Sequence, residues 1–323
     1  MTTIREIAEK TGYSLSSVSV VLSGKGDSRN ISAKTQAKII NAARDMGYTP
    51  NVSARRLRSN HIKKMIVVYW ATDYRAPLVF RFLQGIYRYM NAKKTAYEII
   101  IHPFSPGKLM EIATPLELST YSACIICTAT EKDIAFLENI KVVTPIILYN
   151  RISEKYSSVI VDNQEIGAYA AKVLWERGKK NALIVCVEKS LHFIKERIDE
   201  FISSFQSLGG HVQRIDAVDN TISSAYKSVM KCDFSEFDHL GIFCTTDILS
   251  MGVLKRINEL KINKESVYFV HIAMLDKEIS SLILPNSTVI EIPIEKMGYK
   301  CLELIDMIIK GDIKKIKTVK IGI

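Results

Sequence analysis

The sequence predicts an N-terminal all-α helix-turn-helix headpiece followed by an α/β core of two doubly wound subdomains. Three observations carry that expectation. Two helical periods flank a Gly-Tyr-Ser turn within the first 22 residues, a basic excess is confined to the first fifth of the chain, and apolar runs alternate with helix-like segments from residue 65 onward. At 323 residues and 47% hydrophobic content, the chain has the length for two or three domains and the material for a large core.

Ile4, Ile7 and Ala8 recur at helical spacing, and so do Leu15, Val18, Val21 and Leu22. Gly12 suits the positive φ of a helix C-terminus, and Ser14 suits an N-cap. An ordinary helical hairpin has the same pattern, so charge decides between the two. Residues 1–64 hold 12 basic side chains against Glu6, Glu9, Asp27 and Asp45, a net of +8 out of +10 for the whole chain. Positive charge concentrated in one small domain is the footprint of phosphate binding, whereas a membrane-seeking protein would spread it. Ser23-Gly24-Lys25-Gly26-Asp27 reads as a turn. Ser32 then caps a third helix through Thr35, Ile39, Ile40, Ala43 and Met46, stopped at Gly47. Val52–Arg58 is a short polar amphipathic segment, too short to be a stable helix alone.

From Met65 the runs 65–70, 98–102, 123–127, 145–149, 182–187, 240–244, 267–272 and 288–292 read as buried strands. Segments 80–93, 131–138, 164–177, 193–208, 222–231 and 248–260 read as helices between them. Eight strands exceed one small sheet, so the expectation is two α/β subdomains with a ligand cleft between them. No Gly-rich phosphate loop, paired catalytic carboxylates, zinc-binding helix or nucleophile elbow is present, which argues against an enzyme. Cys124 and Cys127 form a C-x-x-C inside an apolar run, where they would point to opposite faces of a strand, so they read as structural. No apolar stretch reaches the ~20 residues of a membrane helix, and no secretory segment is visible. The expected setting is cytoplasmic and reduced, with no metal or cofactor.

Several motifs resemble the lactose/galactose-repressor family of bacterial transcription regulators. They are Thr3-Ile-Arg-Glu-Ile-Ala, Gly12-Tyr-Ser-Leu-Ser-Ser-Val-Ser, Gly47-Tyr-Thr-Pro-Asn, Ala54-Arg-Arg-Leu57 and Val161-Asp-Asn163. Glu196-Arg-Ile-Asp-Glu-Phe201 and Ala273–Asp276 continue the series in degraded form. The resemblance implies a headpiece over 1–48 and a hinge over 49–60. It also implies a dimerising, effector-binding core over 61–323, like periplasmic sugar-binding proteins. Within that core, one subdomain would take about 61–161 plus 293–320, and the other about 162–292.

Residue roles follow from the resemblance. The second helix lays its first turns in the major groove, with Leu15 and Ser16 near base edges and Val20 one turn on. The family usually carries arginine at the position of Val20, a bidentate partner for guanine. Here an apolar contact, such as a thymine methyl, takes its place. Ser17, Ser19, Ser23, Asn30 and Thr35 fit phosphate positioning or capping, and Thr3 and Ser14 join the DNA-binding set. Asn51 to Leu57 resembles the hinge helix that orders when two copies meet on pseudo-palindromic operator DNA. Ala54 would lie in the minor groove, Leu57 would wedge between central base pairs, and Arg55 and Arg58 would contact the backbone. The effector site would fall on Ala76, Leu78, Asp162, Arg197, Asp247 and the loop at Ala273. Each has a competing structural reading: an Asp after a strand often caps a helix, and Arg197 could be a surface charge. Ala76, Leu78 and Val79 replace Asn and aromatic residues of the family, Asn220 stands where an aromatic is common, and Ala273 replaces an Asp. These departures weaken the case for a typical pyranose.

The expected function is therefore that of a DNA-binding repressor of carbohydrate uptake or utilisation genes, controlled by a sugar or sugar derivative and acting as a homodimer. The alternatives are a regulator answering to a protein partner or a non-sugar metabolite, and a solute-binding protein. The C-terminal residues 314–323 show no leucine heptad for tetramerisation.

Overall fold

This computed structural model describes residues 3–22, 26–46, 64–72, 78–188, 192–232, 234, 239–263, 265–273, 277–284, 286–312 and 316–323. Contacts divide the chain at Lys64 into two compact units.

The first unit is helical: α1 (Ile4–Thr11), α2 (Leu15–Leu22) and α3 (Ala33–Asp45). Each start has a local cause. Thr3 and Glu6 form a capping box, with Glu6 N–H donating to Thr3 Oγ1 at 3.3 Å and Thr3 N–H donating to Glu6 Oε2 at 2.9 Å. Gly12 ends α1 at φ 73°, its N–H donating to Ala8 O at 2.9 Å. Ser14 Oγ accepts from Ser17 N–H at 3.1 Å and opens α2. Ser32 Oγ accepts from Thr35 N–H at 3.3 Å and opens α3. Ile7, Ala8, Val18, Val21, Ile39 and Ala43 form the buried centre where the three helices meet. The α3 pattern ends at Asp45 with Met46 as cap, while the predicted stop at Gly47 and the turn at Ser23–Lys25 lie outside the described residues.

The second unit carries two parallel sheets. The elements after residue 64 are β1 (Met65–Ala71), α4 (Val79–Lys93), β2 (Glu98–Phe104), α5 (Pro115–Ser119), β3 (Ala123–Cys127), α6 (Glu131–Asn139), β4 (Ile146–Tyr149), β5 (Ser157–Val161) and α7 (Asn163–Glu176). They continue with β6 (Asn181–Val187), α8 (His192–Ser207), β7 (His211–Ala217), α9 (Ile222–Ser228), β8 (Leu240–Cys244), α10 (Asp247–Glu259), β9 (Val267–Ala273), α11 (Lys277–Ile283), β10 (Ser287–Glu291), α12 (Ile294–Lys310) and β11 (Thr318–Ile321). One sheet runs β11-β5-β4-β3-β1-β2 and the other β10-β9-β8-β6-β7, every ladder parallel. Both faces of each sheet are buried at its inner strands, which explains their continuous apolar runs. Cys124 and Cys127 sit in different clusters on opposite faces of β3, and all six cysteines are free.

Glycines set how closely the helices approach. A Cβ on Gly85 of α4 would lie 1.9 Å from Glu295 O of α12, and one on Gly298 of α12 would lie 2.3 Å from Phe82 O. Gly167 of α7 meets α8 in the same way, at 2.4 Å from Arg197 O. The chain passes from one sheet to the other after β5, where Asp162 caps α7, and returns after β10 through Ile292 and Pro293. Both passages leave from carboxyl strand ends. The carboxyl edges of the two sheets therefore meet there, as ligand-binding α/β folds require.

Candidate functional site

The headpiece offers an outward face on α2. Leu15 is 52% exposed, Ser16 is exposed, and Ser17, Ser19 and Val20 are half-buried, while Val18 and Val21 turn inward. Leu15 shares its spacing with the buried set but does not belong to it. Spacing alone does not decide which edge of an eight-residue helix is covered. Val20 lies outside the apolar cluster that α1, α2 and α3 share. Asn30 is exposed in the left-handed region at φ 55°. The Thr3 and Ser14 hydroxyls are helix caps, and Thr35 Oγ1 lies 2.9 Å from the capping hydroxyl of Ser32. Lys38 Nζ sits 5.2 Å from the centre of the Tyr13 ring.

In the core, the first sheet reverses its strand order between β1 and β3, and the second between β6 and β8. Three rings meet at the carboxyl edge of the first sheet. Trp70 packs on Phe82 at 5.3 Å and on Tyr149 at 5.6 Å, and Phe82 meets Tyr149 edge-on at 4.9 Å. Burial raises the Tyr149 phenol well above its ordinary pKa, so the ring presents a protonated hydroxyl. Thr128, which follows β3, holds a left-handed φ of 59° although it is β-branched, and its Oγ1 accepts from Ala71 N–H at 3.0 Å. Strain of that kind concentrates at binding edges.

On the other side, Arg197 of α8 is 6% exposed, and its Nη2 donates to Asn163 Oδ1 at 2.7 Å. Asn163 in turn donates to Val161 O at 3.4 Å. Arg197 is therefore no surface charge. Asp162 Oδ1 accepts from Glu165 N–H at 3.2 Å, the helix-cap role weighed against it. Asp247 is buried at the head of α10 and accepts from Ser280 Oγ at 2.9 Å and from Ile248 N–H at 2.9 Å. Neighbouring His271 is pushed down to about 4 by burial, against the opposing pull of the Asp247 charge, so its imidazole is neutral near pH 7. Asn220 Oδ1 accepts from Thr246 Oγ1 at 2.6 Å, and its Nδ2 is buried with no hydrogen-bond partner among the described residues.

Residues 3–51 match the model of the bacterial regulatory proteins of the lacI family, and residues 171–323 match the periplasmic binding protein-like domain. The chain thus joins the DNA-binding domain of the lacI family to a periplasmic binding protein-like domain. Among similar LacI-family proteins, the sucrose operon repressor of Lactococcus lactis subsp. lactis is 24% identical over 97% of this chain and 95% of its own. The transcriptional regulator MalR of Clostridium butyricum is 25% identical over 96% and 93%. A solved LacI-family transcription regulator from Clostridium acetobutylicum is 27% identical over 80% of this chain and 97% of its own, with a TM-score of 0.70.

In the core, the topology brings Leu78, Asp162, Arg197, Asn220, Asp247 and Ala273 toward the facing carboxyl edges. Leu78 and Ala273 are buried there, while both aspartates are engaged within the fold. Ala76 lies outside the described residues, as do the hinge positions Asn51, Ala54, Arg55, Leu57 and Arg58. Sequence reasoning did not single out the buried ring cluster of Trp70, Phe82 and Tyr149 at this edge, which belongs to the hydrophobic core. Their signal was available: Trp70 and Tyr149 stand at or next to the last residue of an apolar strand, where a doubly wound sheet builds its ligand edge.

Proposed function

We propose that the protein is a sequence-specific DNA-binding repressor of carbohydrate uptake or utilisation genes. It acts in the cytoplasm as a homodimer on pseudo-palindromic operator DNA and is controlled by a small molecule in the core cleft. The observation that carries the reading is the outward α2 face, Leu15 to Val20, on a domain holding +8 of the chain's +10 charge. That helix suits the major groove and the surrounding lysines and arginines suit the phosphates. The name of the sucrose operon repressor supports the carbohydrate setting.

In this reading Leu15, Ser16 and Val20 meet base edges, and Ser17, Ser19, Asn30, Thr3, Ser14 and Thr35 order or position the backbone contacts. Asn51, Ala54, Arg55, Leu57 and Arg58 form the hinge, with Leu57 as the wedge. The effector is a sugar or sugar derivative held at the facing carboxyl edges of the two sheets, with Arg197 and Asn220 as donors. Asp162 and Asp247 act through the helices they order rather than by direct contact.

Gel-shift assays across a salt series test the reading. A DNA binder loses affinity on a log–log slope of about −0.9 per phosphate neutralised. A solute-binding protein or an enzyme shows no shift at any salt concentration, which would overturn it.

A further inference from the structure

We propose that the cavity beside the two sheet crossovers is a second small-molecule site, built for a phosphorylated metabolite. It measures about 920 Å³, the size of a metabolite site. Its lining includes none of Trp70, Tyr149, Arg197, Asn220 and Asp247, so it is separate from the cleft.

Both lobes of the core contribute cations. Arg81 and Arg88 come from α4, Lys296 from α12, and Lys277 from the head of α11. The acids of the lining are already committed. Glu291 and Glu295 pair with Arg81, Glu295 also meets Arg88 at 2.9 Å, and Glu165 accepts from Ile323 N–H at 3.1 Å. Lys277 and Lys296 have no such acid partner among the described residues, and Arg81 Nη1 is buried with no hydrogen-bond partner among them. Four basic side chains thus face three carboxylates, Arg81, Arg88, Lys277 and Lys296 against Glu165, Glu291 and Glu295, a surplus of one positive charge with donors converging from two sides. A phosphate, with two negative charges and three terminal oxygens, accepts from several such donors at once. A bare phosphate fills a small part of the volume, and the rings of Tyr169 and Tyr299 line the remainder for an organic body.

Lys277 belongs to the lobe of the second sheet, whereas Lys296 and Arg81 belong to that of the first. A phosphate held between them favours one lobe orientation over others. The effect of that preference on operator affinity rests on the regulator reading, but the binding itself does not.

Calorimetry on the full chain tests the site, with ribose 5-phosphate as probe and ribose and inorganic phosphate as controls. Ribose 5-phosphate is expected to bind and ribose not. Lys277→Ala and Lys296→Ala, both exposed changes, should each weaken binding about tenfold, the loss of one charge-assisted contact. Arg197→Lys, in the cleft, should leave it unchanged. The proposal is overturned if ribose 5-phosphate gives no heat, if ribose binds equally well, if inorganic phosphate binds as tightly as the sugar phosphate, or if Arg197→Lys abolishes binding while the lysine variants do not. Failure of all sequence-specific DNA binding would refute the regulator reading and leave this result standing.

Discussion

Replacing Gly85 by alanine should cost far more than a methyl group ordinarily does. The new Cβ would sit 1.9 Å from Glu295 O, 2.7 Å from Glu295 C and 2.9 Å from Tyr299 N, all backbone atoms of α12 with no rotamer to yield. Ordinary contact begins near 3.4 Å, so α4 and α12 must separate by about 1.5 Å, and a gap of even 0.5–1 Å forfeits a quarter to a half of each contact's attraction. The seam being opened buries Phe82, Ile86, Tyr89, Met297 and Leu302. Overpacking of this kind costs about 3 kcal/mol or slightly more. Gly178 is the control: it has φ 73° and no atom within 4 Å of a would-be Cβ. Gly178→Ala should cost only the left-handed strain of about 1–2 kcal/mol. Urea denaturation followed by tryptophan fluorescence reads the core alone, because both tryptophans, Trp70 and Trp175, lie beyond residue 64. With m of about 1–3 kcal/mol/M, the Gly85→Ala midpoint should fall by about 1 M or more. A Gly85→Ala midpoint equal to wild type, or a Gly178→Ala loss equal to that of Gly85→Ala, would refute the seam.

Three further outcomes follow from the same reasoning. Val20→Arg should install a guanine preference at its base step, worth about 1–3 kcal/mol in competitive gel shifts against other bases; unchanged preference would place Val20 away from the groove. Burial alone would raise the Asp306 carboxyl, but hydrogen bonds from Lys310, Tyr97 and Tyr89 outweigh it and hold it below its ordinary value. Because the folded pKa is the lower one, its stabilisation is present above the unfolded pKa of about 3.9 and is lost as pH falls through the folded value. The urea-midpoint gap between wild type and Asp306→Asn should therefore be wide at pH 7 and narrow below pH ~4, and a gap independent of pH contradicts it. Asn163→Ala removes the acceptor that holds Arg197 Nη2, so it should weaken cleft ligands in a thermal-shift series of sugars while leaving operator affinity without ligand intact.

The core strands were legible where burial on both faces made them uniformly apolar, as in Met65–Ala71 and Ala123–Cys127. Of the four edge strands, the apolar runs within Glu98–Phe104 and Ser287–Glu291 were legible and the other two were not. His211–Ala217 alternates polar with apolar and is half exposed, and Thr318–Ile321 spans four residues with a lysine among them. Ser157–Val161 is fully buried but begins with two serines, and it went unread beside the longer runs. The 17-residue helix Ile294–Lys310 had a readable period in Ile294, Met297, Cys301, Leu302 and Ile305. Gly298 falls inside that period because α4 crosses there, and a helix-propensity argument counts such a glycine as a break. In the headpiece, Gly12, Ser14 and Ser32 announced their caps because capping is local, and the Thr3–Glu6 capping box went unread. The aspartates of the cleft were harder: that Asp162 turns to its own helix and Asp247 to Ser280, 33 positions on, depends on tertiary placement.

The central claim is that two copies of the α2 face read a specific two-fold DNA site. Selection of binding sites from random duplex DNA with the full-length protein tests it most directly. The account predicts an enriched pseudo-palindrome with no required guanine at the step facing Val20. A pool that fails to enrich, or one that returns an invariant guanine there, would contradict it.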